Sequence, residues 1–132
     1  MIIYTSYFAM AAKLPDSIIQ VSISRFPPKG YKGYKFSKLA PPAELLLDYK
    51  KTGDTKAYVK TYKETVLAKL DAKDLYNKFE EYFGGKDICL LCFEKPDSFC
   101  HRHIVSEWFQ EAGLPSREWA KEDSDQNQMS LF

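Results

Sequence analysis

Apolar residues fall into two patterns along this chain: short β-branched runs, and longer stretches that repeat every three to four positions. Ile2 to Thr5 and Ile19 to Ser24 are of the first kind and predict strands. Ile88 to Phe93 is a third run, apolar throughout and followed by turn residues and a helical repeat. It predicts strand, loop and helix in succession. Helical repeats fill the interval between the second and third strands. Pro41 and Pro42 open a helix carrying Leu45, Leu46 and Tyr49, because proline is tolerated in a first helical turn. A second helix is capped near Asp54 and sets Val59, Tyr62, Val66 and Leu70 on one stripe. A third starts near Asp71, carries Leu75, Phe79, Tyr82 and Phe83, and ends at Gly84-Gly85. The last carries Ile104, Val105, Trp108 and Ala112 and stops at Gly113 and Pro115. Strands separated by long helical crossovers predict an α/β fold. The expected form is a small three-layer Rossmann-like domain, with a parallel or mixed sheet of three to four strands flanked by helices. It spans residues 1–120. Residues 121–132 form an acidic tail with no hydrophobic periodicity, expected to be mobile when unbound.

Composition narrows the class. An apolar fraction of 45% excludes general disorder, and 132 residues suffice for one core. No window holds eighteen uninterrupted apolar residues, and no basic segment precedes an apolar signal core, so a cytoplasmic protein without membrane attachment is expected. Three cysteines argue against a disulfide scaffold and for reduced thiols. The net charge of +1 conceals a segregation. Residues 25–69 hold eleven Lys/Arg against four Asp/Glu, whereas residues 94–132 hold four against eight. The first segment suits an anionic partner, or is simply a solvated lysine-rich face.

The chemistry concentrates between Ile88 and Arg102, where two thiols, a carboxylate, an imidazole and a guanidinium follow a buried strand. The carboxyl end of such a strand is where α/β domains bind ligands. Alternation puts Cys92 and Glu94 on one face and Cys89 on the other. Cys89-Leu90-Leu91-Cys92 has the spacing of a zinc half-site that Cys100, His101 and His103 could complete. A half-site needs a tight turn, however, and Leu-Leu between Ile and Phe suits a strand, so no cofactor is expected, with zinc the alternative. The favoured reading is an anion or nucleophile site. The loop before the last helix offers helix amides and dipole to an anion, and Arg102 adds a guanidinium fork. A thiol at Cys92 or Cys100 beside these groups is set up as a thiolate nucleophile. Glu94 and His101 are candidates for acid and base. The plainer alternatives are a small buried Cys89, surface histidines at 101 and 103, and a Glu94 bonded to nearby amides. Arg25, after the second strand, emerges at the same sheet edge and pairs with Arg102 as a phosphate clamp, unless it is a structural ion-pair partner. Ser24, Thr5 and Ser6 supply hydroxyls there, and Cys100 completes the candidate anion site.

These residues resemble the DUF488 family, a group whose name records a domain of unknown function. The likeness rests on Tyr4-Thr5-Ser6-Tyr7, on Ser24-Arg25-Phe26-Pro27, and most specifically on Cys92-Phe93-Glu94 followed by Cys100-His101-Arg102. It covers most of residues 1–115. Many members carry Asp-Val-Arg where this chain has Ile23-Ser24-Arg25, so an acid role at that strand end is lost. The resemblance implies a compact α/β domain with a shared polar pocket, and no established reaction.

Two further segments carry candidate binding functions. Gln128-Met129-Ser130-Leu131-Phe132 looks like the peptide with which bacterial replication and repair proteins dock on the DNA sliding clamp. Gln128 would bond at the pocket rim, while Met129, Leu131 and Phe132 fill apolar pockets. A second register, Gln126, Met129 and Phe132, fits archaeal and eukaryotic clamp ligands. Folding of the tail onto its own domain is the alternative. The loop Lys29-Gly30-Tyr31-Lys32-Gly33-Tyr34-Lys35-Phe36 interleaves cations with rings. That suits single-stranded nucleic acid, with Lys29, Tyr31, Lys32, Tyr34 and Lys35 as contacts, or else its tyrosines pack on a helix. Together these features predict a nucleotide- or nucleic-acid-directed enzyme linked to replication or repair by its tail. The alternative is a non-catalytic accessory protein or zinc module docked on the clamp.

Overall fold

The computed structural model describes residues 1–93 and 100–120. Its sheet is parallel throughout, with five strands: β1 (Ile3–Tyr7), β2 (Ile19–Ser22), β3 (Tyr34–Lys35), β4 (Ile88–Cys92) and β5 (Ser116–Glu118). Their order is β3-β2-β4-β1-β5. Among the described residues four α-helices accompany them: α1 (Ala43–Thr52), α2 (Thr55–Thr65), α3 (Ala72–Tyr82) and α4 (His101–Glu111). This is the expected Rossmann-like α/β architecture, with one correction to the strand count. Two edge strands of two and three residues, β3 and β5, have no room to display an alternating pattern. They form because β2 and β1 present open ladders to them.

β4 lies at the centre of the sheet and all five of its residues are buried. A strand covered on both faces needs apolar side chains in both directions, which accounts for the unbroken Ile-Cys-Leu-Leu-Cys. Ile88 and Leu90 join Ile3, Val21, Leu75, Val105 and Phe109 in the larger core, on the helix side. Cys89 and Leu91 face the other way, against Tyr4, Leu14 and Trp119. A 3-10 helix at Phe8–Lys13 covers part of this second face, so the third layer is thin.

The helix caps sit where the sequence places them. Asp54 accepts from the Ala57 amide at 3.1 Å and Asp71 from the Asp74 amide at 2.8 Å, each satisfying a first-turn donor. Gly53, with φ of 64°, ends α1 in the left-handed conformation, and its amide closes on Tyr49 O. The predicted second helix is shorter than its stripe: α2 stops at Thr65, and a 3-10 turn at Leu67–Lys69 carries the chain to Leu70. Tyr58 and Tyr62, rather than Val59, are its buried residues. Tyr82, placed on the buried stripe of α3 by its spacing, is the last residue of the helix and is 73% exposed. Among the described residues no helix is long and apolar enough to cross a membrane.

Candidate functional site

Connections leave β2 and β4 in opposite directions: β2 leads outward to β3, while β4 leads over β1 to β5. A crevice must open between their carboxyl ends, the usual ligand position in such sheets. A cleft of about 340 Å³ lies there. Ser24, Arg25 and Phe26 after β2 form one wall; Cys92, Phe93, Cys100 and His101 form the other. Helix α1 closes it with Leu46, Tyr49 and Lys50, and Tyr58 of α2 adds a ring.

The two arginines taken as one clamp reach Cys92 from different sides. Arg25 is exposed at the cleft, its guanidinium 5.7 Å from the Phe26 ring centroid. Arg102 is 0% exposed and lies behind the sulfur, donating from Nη1 to Cys92 Sγ at 3.0 Å. Its remaining fork is held by Glu118: Nε donates to both carboxylate oxygens at 3.1 and 3.3 Å, and Nη2 to Oε2 at 3.1 Å. Arg102 is therefore corrected from a ligand clamp to a buried support for the thiol. Thr5 and Ser6, assigned to the anion site, do not line the cleft. Thr5 instead donates to Glu118 Oε1 at 2.6 Å, fixing the carboxylate that fixes the arginine. Ser24 and Cys100 do line it.

Cys100 occupies the N-cap position of α4 without a side-chain capping bond, and His101 is the helix's first residue. The His101 Nε2 atom lies 2.8 Å from the Ile23 carbonyl, which can only accept, so Nε2 carries the proton. Nδ1 is left with a lone pair, 3.6 Å from Cys100 Sγ. Burial pushes the imidazole's pKa down to about 4, against the bond to Ile23 and with help from the Arg102 charge. His101 is thus neutral at physiological pH, a base of fixed tautomer rather than a surface residue. The Cys92 and Cys100 sulfurs are in contact. Their Cα atoms are 7.4 Å apart; the two cysteines are within reach of a disulfide, and the chemistry of the site is that of the reduced pair.

Ligand atoms of Cys92, Cys100 and His101 lie within 4.8 Å of one another. The zinc half-site read from Cys89 and Cys92 is corrected accordingly. Cys89 points to the opposite sheet face, and burial, reinforced by the Glu118 charge, pushes its thiol pKa up. His103 is outside the cluster.

The basic aromatic loop is divided rather than presented as one surface. Tyr31 turns inward: its ring meets Phe8 edge-on at 5.4 Å and its hydroxyl donates to Tyr34 O at 2.7 Å. Burial raises its phenol pKa to about 12. Gly33 permits the close approach, since a Cβ there would collide with the Tyr31 hydroxyl and come 2.8 Å from Gln20 O. Tyr34 and Lys35 become β3 and line the groove beside α3, Tyr34 meeting the Tyr82 and Phe83 rings, while Lys29 and Lys32 stay exposed. Glu94, the proposed acid, and Gln128, Met129, Leu131 and Phe132, the proposed docking peptide, lie outside the described residues.

Sequence reasoning missed Glu118, Lys50 and Tyr58. Glu118 carried no signal, since it ends a three-residue strand sixteen positions beyond its arginine. Lys50 is one of many helical lysines until the fold turns it to the cleft.

Residues 3–113 match the model of the DUF488-N3a family, described as the active DUF488-N3 subclade, and the chain belongs to that family. No curated protein and no solved structure matches it.

Proposed function

We propose that this member of the DUF488-N3a family is an enzyme in which the Cys92 thiolate displaces a leaving group from an electrophilic centre of an anionic, phosphate-bearing substrate: the sulfur bond forms as the leaving-group bond breaks, and the leaving group departs with that bond's electron pair and takes up a proton. The observation that carries the reading is the buried guanidinium hydrogen-bonded to Cys92 Sγ at 3.0 Å, on a residue that is itself 1% exposed and sits in the wall of the cleft. A cation beside sulfur favours thiolate over thiol, and the thiolate is the nucleophile. Glu118 keeps that cation in place without competing for the substrate side. Arg25 and Lys50 at the cleft supply charge for the anion, and Ser24 a hydroxyl. Cys100, donating toward His101 Nδ1 when reduced, is placed to pass a proton, the role the sequence also assigns to His101 and Glu94. The family's description as an active subclade supports catalysis over a passive module. We extend the substrate class to nucleotides or nucleic acid from the basic segment 25–69, and the cellular context to replication or repair from the terminal peptide. Pull-down on a sliding clamp with and without residues 128–132 tests that last link, and equal recovery removes it.

The central test is alkylation of Cys92 by iodoacetamide, followed against pH by peptide mass spectrometry. We expect a midpoint well below the free-thiol value of about 8.5 and protection by inorganic phosphate. A midpoint at or above that value ends the nucleophile reading.

A second reading is favoured by the cluster of Cys92, Cys100 and His101. Two thiolates and a neutral imidazole oriented by a backbone carbonyl make a three-ligand zinc set with a position open to the cleft. Zinc there would supply Lewis-acid chemistry. Native mass spectrometry of the purified protein discriminates: one stoichiometric Zn²⁺, lost on Cys100→Ser, favours this reading over the first.

A further inference from the structure

A second hollow lies away from the cleft, at the β3 edge of the sheet. It is a groove of about 620 Å³ between β3 and α3, and its floor is aromatic. Phe36 meets Phe79 edge-on at 5.2 Å, and Tyr34 meets Phe83 at 5.0 Å and Tyr82 at 6.1 Å. Tyr34 is 50% exposed and Tyr82 73% exposed, so the rings present open faces and edges to solvent.

Cations border these rings. Lys35 and Lys38 flank the β3 side, and Lys69 and Lys78 the α3 side. The two acids in the wall are already engaged: Asp71 caps α3 through the Asp74 amide, and Asp74 pairs with Lys78 at 3.0 Å. Among the described residues, none of the ion pairs includes Lys35, Lys38 or Lys69. The groove therefore has lysines on both banks over a ring floor, and Lys35, Lys38 and Lys69 come from the segment 25–69 in which Lys/Arg exceed Asp/Glu by eleven to four.

We infer that this groove binds single-stranded nucleic acid. Exposed rings suit bases, which stack on aromatics irrespective of sequence, and lysines on both banks suit successive phosphates. A duplex hides its base faces and would gain nothing from Tyr34 and Tyr82. The segment after β3 also joins the two hollows, since Phe36 and Lys38 line the groove while Pro41 lines the cleft. This surface differs from the basic loop expected from sequence: Tyr31 is withdrawn from it, and Tyr82, Lys38 and Lys69 are gained. It concerns a surface other than the cleft and is read by binding alone, so it can fail while the thiol chemistry stands, and the reverse.

The experiment is fluorescence anisotropy of the full chain with labelled oligothymidylate and oligouridylate of about 15 nucleotides, and with the corresponding duplex. We expect both single strands to bind more tightly than the duplex, with affinity falling as salt rises. Tyr82→Ala should weaken binding about fivefold or more, and Lys35→Ala with Lys69→Ala about tenfold or more. Both variants alter exposed side chains, and circular dichroism confirms their folding. Lys56→Ala with Lys60→Ala, on α2 outside the groove, is the control and should change little. No binding up to about 100 µM, a preference for duplex, or equal weakening by control and groove variants would each overturn the inference.

Discussion

The floor beneath the cleft, where the Arg102 guanidinium lies 5.7 Å from the Tyr7 ring centroid, and the sheet-edge groove both combine cations with aromatic rings, yet they sit at opposite extremes of solvent exposure. In the floor, Arg102 is enclosed and every charge has a partner: Glu118 on one side, the Cys92 sulfur on the other. In the groove, Lys35, Lys38 and Lys69 stand in water around exposed tyrosines. A buried charge interacts strongly and loses heavily when its partner goes, whereas a solvated one is screened and cheap to remove. The floor should therefore couple stability to chemistry, and the groove should couple neither to the other.

Substitutions separate the two behaviours, with the largest effect expected at Arg102. Arg102→Met leaves the partly buried Glu118 carboxylate without its cation and should cost about 3–5 kcal/mol in urea unfolding. It should also return Cys92 alkylation to an ordinary thiol profile. A loss under about 1 kcal/mol would show that the network is not the support described. Next comes pH. The unfolded His101 imidazole takes up a proton below about 6.5 and the folded one only near 4, so the unfolded state binds more protons between these values. Stability should therefore rise with pH across that window, by on the order of 3 kcal/mol, and level off above it. His101→Gln should flatten the profile, and an unchanged slope would reject the buried neutral imidazole. Thr5→Val removes one hydrogen bond to a charged group and should cost about 1.5–3 kcal/mol. Smallest of all in stability are Arg25→Ala and Tyr82→Ala, each within about 0.5 kcal/mol of the parent. Arg25→Ala should nevertheless abolish protection of Cys92 by phosphate. If Arg25→Ala or Tyr82→Ala unfolds the protein, the contrast between enclosed and solvated charge collapses.

Local pattern was sufficient for much of the fold. The β4–α4 unit, the caps at Asp54 and Asp71, and the opposite facing of Cys89 and Cys92 all follow from spacings of a few residues. Arg25 at the cleft was also legible, because a residue that follows a strand in a parallel sheet must emerge at its carboxyl edge. The division of labour between the arginines was not. Both read as equivalent cations, and the difference lies in Glu118, brought beside Thr5 by the β1–β5 register.

What the amino-acid order determined by itself is the identity of the elements and the face each reactive side chain takes, since both obey periods of two or 3.6 residues. What tertiary structure alone decided is the company those side chains keep. The buried Glu118–Arg102–Cys92 chain, the inward turn of Tyr31 onto Phe8 and the pairing of β3 with α3 around the ring-lined groove join residues from separate elements. Such contacts depend on strand order and on which helix covers which edge, and no local repeat encodes either.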